Sequence, residues 1–204
     1  MGQRIGIFGG SFDPVHNGHL EIAEAALRKH KLDRVIFVPA RLQPHKPNEP
    51  HASGEQRLEM IKLAIADNPK FEASDCELRR PGKSYTIDTV KDFRSSLGAD
   101  AELFLIIGSD GLRDFARWHG VQELVGLCRI IVAARPNEPL GQMDSLCAVL
   151  PADRLAELNE LSMPTTANPV SATEVRRRCA AGESIAGLVP ARVEDYIARN
   201  RLYV

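Results

Sequence analysis

The sequence has almost no excess of charge. Its 26 lysines and arginines stand against 27 aspartates and glutamates, a formal net charge of −1. A surface that coats nucleic acid is thereby excluded, and any phosphate binding has to come from local groups. No apolar run is long enough to span a bilayer, so no membrane partner is expected. Met1-Gly2-Gln3-Arg4 runs straight into an apolar stretch without a signal region, from which a cytoplasmic place is expected. Cys76, Cys128, Cys147 and Cys179 are widely spaced and form no C-x-x-C pair. Without a signal region, reduced thiols are a better reading of them than two disulfides. Internal repeats, low-complexity segments and interdomain linkers are missing too. What remains is 204 residues, 44% of them hydrophobic, which suits one α/β domain over 1–204 with a full core and no staple.

One stretch organises the chain: Gly9-Gly10-Ser11-Phe12-Asp13-Pro14-Val15-His16-Asn17-Gly18-His19. It follows the apolar run Ile5-Gly6-Ile7-Phe8, which reads as a first strand, and leads into a pattern with Leu20, Ala23 and Leu27 at helical spacing. The glycines let the backbone approach a neighbour closely or adopt positive φ. A helix starting near Asn17 offers N–H groups and a positive dipole end to an anion. His16 and His19 lie one turn apart and face the same way. Together these features read as a phosphate site. A dinucleotide fingerprint would need G-x-G-x-x-G, and a Walker loop would need Gly-Lys-Ser/Thr. A zinc site of the H-E-x-x-H kind would need a glutamate that is missing here.

The stretch resembles the signature of the HxGH-motif nucleotidyltransferases, and among them it is most similar to the bacterial nicotinate-nucleotide adenylyltransferases. The resemblance implies a doubly wound, mostly parallel sheet of Rossmann-like nucleotidyltransferase type, with helices on both faces. It also implies transfer of the AMP part of ATP to nicotinate mononucleotide, with Mg²⁺ accompanying the ATP and pyrophosphate released. A homo-oligomer is left open.

The rest of the chain is consistent with that order. Arg34–Pro39 is a short apolar run suited to a strand buried on both faces. Residues 40–53 carry four prolines counted from Pro39 and read as a loop, with Arg41, His45, Lys46 and His51 on it. Gly54–Asp67 reads as a helix with Leu58, Ile61 and Ile65 inward and no chemistry of its own. Phe71–Leu78 reads as a weak third strand. Ser84 and Thr86 can be read as helix caps ahead of a core face of Ile87, Val90 and Phe93, or as part of a binding segment. Leu103–Gly108 is the strongest strand, with Ser109-Asp110 at its carboxyl end, where ligands collect in open α/β sheets. Cys128–Ala134 is a further buried strand, and a short helix is placed over Arg154–Leu161. Ser171 with Glu174 three residues on predicts a capping box and a helix ending near Gly182. Pro190, Val193, Tyr196 and Ile197 describe a closing helix.

By resemblance, five motifs in family order supply the site. His16, His19, Lys46 and Arg176 would be catalytic. ATP would meet Gly9, Gly10, Ser11, Phe12, His16, Gly18, His19, Gly108, Asp110, Ser171, Thr173 and Arg176. Nicotinate mononucleotide would meet Lys46, Tyr85, Thr86, Trp118 and His119. Asp110 would bond a ribose hydroxyl, Trp118 would stack on the pyridine ring, and Thr86 with nearby main-chain N–H groups would hold the carboxylate. The C-terminal part, about 165–204, would carry the second phosphate motif; there Ala172 replaces the family's middle serine. Protein ligands for a metal are not expected. Other readings are a different acceptor (nicotinamide mononucleotide, phosphopantetheine or FMN) and a nucleotide sensor without turnover.

Overall fold

The structure, a computed structural model, describes residues 2–44, 50–134, 146, 150–164 and 170–204, and the main chain alone of Asp110 and Arg113. In chain order the elements are β1 (Arg4–Gly10), α1 (Asn17–Lys29), β2 (Arg34–Pro39), α2 (Gly54–Ile65), β3 (Phe71–Ala73), α3 (Cys76–Arg79), α4 (Thr86–Leu97), β4 (Glu102–Gly108), α5 (Ser109–Arg113), α6 (Val121–Leu127), β5 (Arg129–Ala134), α7 (Ala152–Leu161), β6 (Met163–Pro164), α8 (Ala172–Ala180) and α9 (Ala191–Arg199).

The strands form one six-stranded sheet in the order β3-β2-β1-β4-β5-β6. The pairs β1–β4, β4–β5 and β5–β6 run parallel, with Phe8 opposite Ile106 and Ile106 opposite Ile131. This is the doubly wound order expected from the sequence. Its direction reverses between β1 and β4, the switch point at whose carboxyl end such sheets bind ligands. The apolar runs explain the strands. Leu103 to Ile107 and Ile130 to Ala133 are buried without interruption, as side chains on both faces of a covered parallel strand must be.

By contacts the chain forms two compact units. One comprises Met1–Gly9, Ile22–Val35 and Tyr85–Ala167; the other comprises Gly10–Glu21, Ile36–Ser84 and Asn168–Val204. In the first, α4 lies against α6 and α7 against β5. Arg94 ties α4 to the ends of neighbouring segments, donating to the carbonyls of Ala101 at 2.5 Å and Leu127 at 2.7 Å. Arg154 on α7 donates to the Val125 and Cys128 carbonyls and pairs with Glu157 at 2.7 Å. In the second unit, α9 lies against α2, with Val193 and Ile197 buried and Arg192 paired with Asp67 at 3.1 Å.

Three expectations change. The third strand stops at Ala73, because Ser74 accepts from Cys76 N–H and turns the chain into α3. On α2 the inward face is Arg57, Met60, Ile61 and Ile65, while Leu58 is half-buried. The cap residues also differ. Glu174 does not reach back to complete a box at Ser171; its carboxylate takes Arg177 and Arg178 instead, at 2.8–2.9 Å. A complete box forms at Ser53 and Gln56, ahead of α2.

Candidate active site

The turn after β1 and the start of α8 both lie within the second unit. Gly10 closes β1, so the turn proper runs from Ser11 to His16. Positive φ does not fall on Gly9, Gly10 or Gly18; Phe12 takes it, at 48°. Gly10 and Gly18 serve close approach instead. A Cβ on Gly18 would stand 3.2 Å from His16 Nδ1 and 3.7 Å from the Val170 carbonyl, and one on Gly10 would press on the Phe12 ring. Phe12 itself is 1% exposed, its ring 4.9 Å from that of His19 and 5.7 Å from that of Phe37. Its side chain packs, so only its main chain can meet a ligand.

The His16 and His19 rings stack, with centroids 3.7 Å apart and planes 27° from parallel. The His16 main-chain N–H donates to His19 Nδ1 at 3.2 Å. An accepting Nδ1 puts the proton of the neutral ring on Nε2, which makes that atom the donor. Asn17 fixes the start of α1, its N–H on the Leu188 carbonyl at 2.9 Å and its side chain on the Gly187 carbonyl at 2.8 Å.

The second motif comes to the same loop. Ser171 caps α8 through its hydroxyl, which accepts from Glu174 N–H at 3.2 Å. Arg176 donates to the main-chain carbonyl of Asp13 at 2.7 Å and to Thr173 Oγ1 at 3.3 Å. Two residues outside the sequence reading also take part. Arg57, 2% exposed, donates to the Ser11 carbonyl at 2.7 Å and to the Ala52 carbonyl at 3.2 Å. The buried Asp13 carboxylate accepts from Ala52 N–H, His51 N–H and the Tyr203 hydroxyl. Burial alone would raise that carboxyl; the bonds from His51, Tyr203 and Ala52 outweigh it and hold it below its ordinary range. An arginine on a helix usually faces water, and the Asp13–Tyr203 pairing spans 190 residues, so no local spacing announces either.

The first unit holds an aromatic shelf. The Tyr85 and His119 rings lie 4.6 Å apart, and Trp118 leans on Phe115 at 5.1 Å. Tyr85 and Trp118 are half-buried and His119 is exposed, so each keeps surface for a ligand. Thr86 opens α4, whose N-cap is Tyr85 without a side-chain capping bond. Ser84 does not cap it. Its hydroxyl accepts from Arg41 N–H at 2.9 Å, and its N–H bonds the Leu42 carbonyl, tethering the 41–42 loop. Gly108 is the N-cap of α5 in an extended conformation. Lys46 and the side chain of Asp110 lie outside the described residues.

Residues 7–178 match the family described as cytidylyltransferase-like. A Synechococcus protein named "Probable nicotinate-nucleotide adenylyltransferase" is 45% identical over 204 residues, covering 99% of this chain and 95% of the relative. A protein of the same name from Geotalea uraniireducens is 41% identical, covering 98% of each. Among solved structures, Plasmodium falciparum nicotinic acid mononucleotide adenylyltransferase complexed with NaAD superposes with a TM-score of 0.77. It covers 98% of this chain and 97% of its own at 20% identity, a likeness of fold.

Proposed function

We propose the activity from a fixed premise: this chain belongs to the cytidylyltransferase-like family and, within it, to the nicotinate-nucleotide adenylyltransferases. It transfers the adenylyl group of ATP to nicotinate mononucleotide. A 5′-phosphate oxygen of the acceptor attacks the α-phosphorus, forming the new P–O bond. The bond from the α-phosphorus to the α,β-bridging oxygen breaks, and its electron pair leaves on pyrophosphate. No covalent enzyme intermediate is required; the work is positioning and charge neutralisation.

The observation that carries this reading is Arg176 held on the Asp13 carbonyl, 163 residues away in sequence, beside the helix start that bears His16 and His19. His19, with its proton on Nε2, donates to phosphate oxygens as charge moves toward the leaving group. Arg176 keeps further N–H groups for the same oxygens beyond those on Asp13 and Thr173. Lys46 adds a second cation. The Ser171 cap leaves the start of α8 as a polar platform for the triphosphate. Tyr85, Trp118 and His119 offer stacking surface for the pyridine ring, and the first turn of α4 offers its amides to the carboxylate.

Mg²⁺ belongs to the nucleotide. There it would neutralise charge on the departing pyrophosphate. The test is pyrophosphate release with ATP and Mg²⁺ against nicotinate mononucleotide, its amide, phosphopantetheine and FMN. The carboxylate-bearing mononucleotide should give the highest kcat/KM. Equal values for acid and amide would remove the assigned role of the α4 amides, and no turnover with any acceptor would favour a sensor.

A further inference from the structure

We propose that Asp13 is the positioning residue of the triphosphate site: its buried carboxylate, held by Tyr203, fixes the turn whose Asp13 main-chain carbonyl holds Arg176 in place. The proposal rests on the adenylyl-transfer reading above. Asp13 lies three residues before His16, where a carboxylate invites a reading as general base or metal ligand. Its contacts argue otherwise. Oδ2 takes His51 N–H at 2.8 Å and meets His51 Nδ1 at 3.2 Å, while Oδ1 takes Ala52 N–H at 3.0 Å and the Tyr203 hydroxyl at 2.8 Å. Three donors and the His51 ring thus engage both oxygens, turning the carboxylate to the protein rather than to a metal ion or a substrate proton. The group is 5% exposed, and the bonds that saturate it also keep it ionised. The phenol of Tyr203 is pushed the other way, upward, by burial and by the neighbouring Asp13 charge, so it stays a donor.

The backbone carries a second mark of the same device. Among the described residues, two of the four non-glycine positions with positive φ belong to it: Phe12, next to Asp13, at 48° and Tyr203 at 65°. Bulky residues rarely enter that region, and they stay there when surrounding contacts over-determine them. The contacts here are the Asp13 carboxylate, the packed Phe12 ring, and Arg57, whose buried guanidinium holds the Ser11 and Ala52 carbonyls on either side. Segments 11–13, 51–57 and 203 are thus locked around one carboxylate, and the outward product of that lock is the Asp13 carbonyl that receives Arg176. Tyr203 therefore acts on the triphosphate through Asp13 and Arg176 without touching it.

Asp13→Asn is the direct variant, but it leaves a buried amide facing two N–H donors and is prone to misfold. Tyr203→Phe keeps the ring and removes one hydrogen bond, so it carries the test. It is measured alone, in an Arg176→Ala background, and against the parent, by calorimetric titration with a non-hydrolysable ATP analogue and by steady-state turnover. Tyr203→Phe should weaken analogue binding roughly tenfold, the scale of one hydrogen bond to a charged group. KM for the mononucleotide should not change. In the Arg176→Ala background the same substitution should cost less than about twofold, because the route it acts through is gone. An equal loss in both backgrounds makes Tyr203 a general structural contact and overturns the proposal, as does no loss in either. A parent that binds the analogue yet fails to use nicotinate mononucleotide would overturn the proposed function, and the coupling between Tyr203 and Arg176 would still be read from binding.

Discussion

His16 and His19 are stacked, with ring centroids 3.7 Å apart. The neutral tautomer of His19 is fixed by the N–H it receives from His16. The turn contact of His19 through Nδ1 and its proposed phosphate contact through Nε2 can be separated by substitution. His19→Ala removes both. His19→Asn can keep an acceptor near the Nδ1 position while losing the donor farther out. Both variants should lower kcat by roughly 10²–10³, the loss expected of one donor that works in the transition state. Melting temperature should fall in His19→Ala and be better kept in His19→Asn. If His19→Asn retains near-normal kcat in a well-folded protein, the histidine is a turn residue and nothing more. That HxGH sets two histidines at a helix start was readable from the sequence. That its glycine exists to admit the His16 ring, and that Phe12 takes the left-handed conformation in a loop with glycine on either side, needed the packed turn.

At the scale of elements, legibility followed burial on both faces. Arg34–Pro39 and Leu103–Gly108 announce themselves because an unbroken apolar run has few other uses in a covered parallel sheet. Helix starts were harder, since a serine three residues before an acid or amide says what can bond but not what competes for it. Ser171 and Glu174 have the right spacing, yet Arg177 and Arg178 take the glutamate. Ser53 and Gln56 have no such competitor and close the box, with Gln56 N–H on Ser53 Oγ at 3.2 Å and Ser53 N–H on Gln56 Oε1 at 2.9 Å. The two caps should then fail differently. Ser53→Ala should cost about 1 kcal/mol and lower the melting temperature by roughly 2–4 °C for a chain of this size, with ATP affinity kept. Ser171→Ala should have a similar thermal cost and, on the proposed function, also weaken ATP binding, because α8 would start against the triphosphate. Thermal unfolding and ATP titration on the same two samples decide it; a Ser171 variant that binds ATP normally removes that residue from the site. The Asp13 hub, by contrast, leaves no trace in local spacing. Its partners Ala52, Arg57, Arg176 and Tyr203 meet only once the chain has folded.

For the molecule as a whole, buried ionisable groups set how stability depends on pH, and two of them act in different windows. His30 is 7% exposed. Burial, then the positive charges of Lys29, Arg4 and Arg129, lower its folded value below that of a free imidazole. The unfolded chain, with a histidine near 6.5, takes up that proton first as pH falls. Stability rises with pH wherever the unfolded state binds more protons, so the His30 contribution is present above about 6.5 and is lost on acidification toward its folded value. Asp13 follows the same sign one step lower. Its folded value lies below an unfolded one near 3.9, so the stabilisation its ionised form gives is complete above that and fades only as pH falls through the folded value. Acid should therefore destabilise the protein in two stages, the first as pH falls below about 6.5 and the second below about 4. His30→Gln keeps a buried polar side chain that cannot charge. It should flatten the first stage and leave the second intact when the melting temperature is followed from pH 8 to pH 3. An undiminished slope between pH 7 and 5 in His30→Gln would mean that some other group titrates there. A first stage that disappears while the drop below pH 4 persists would assign the two windows to the two buried groups.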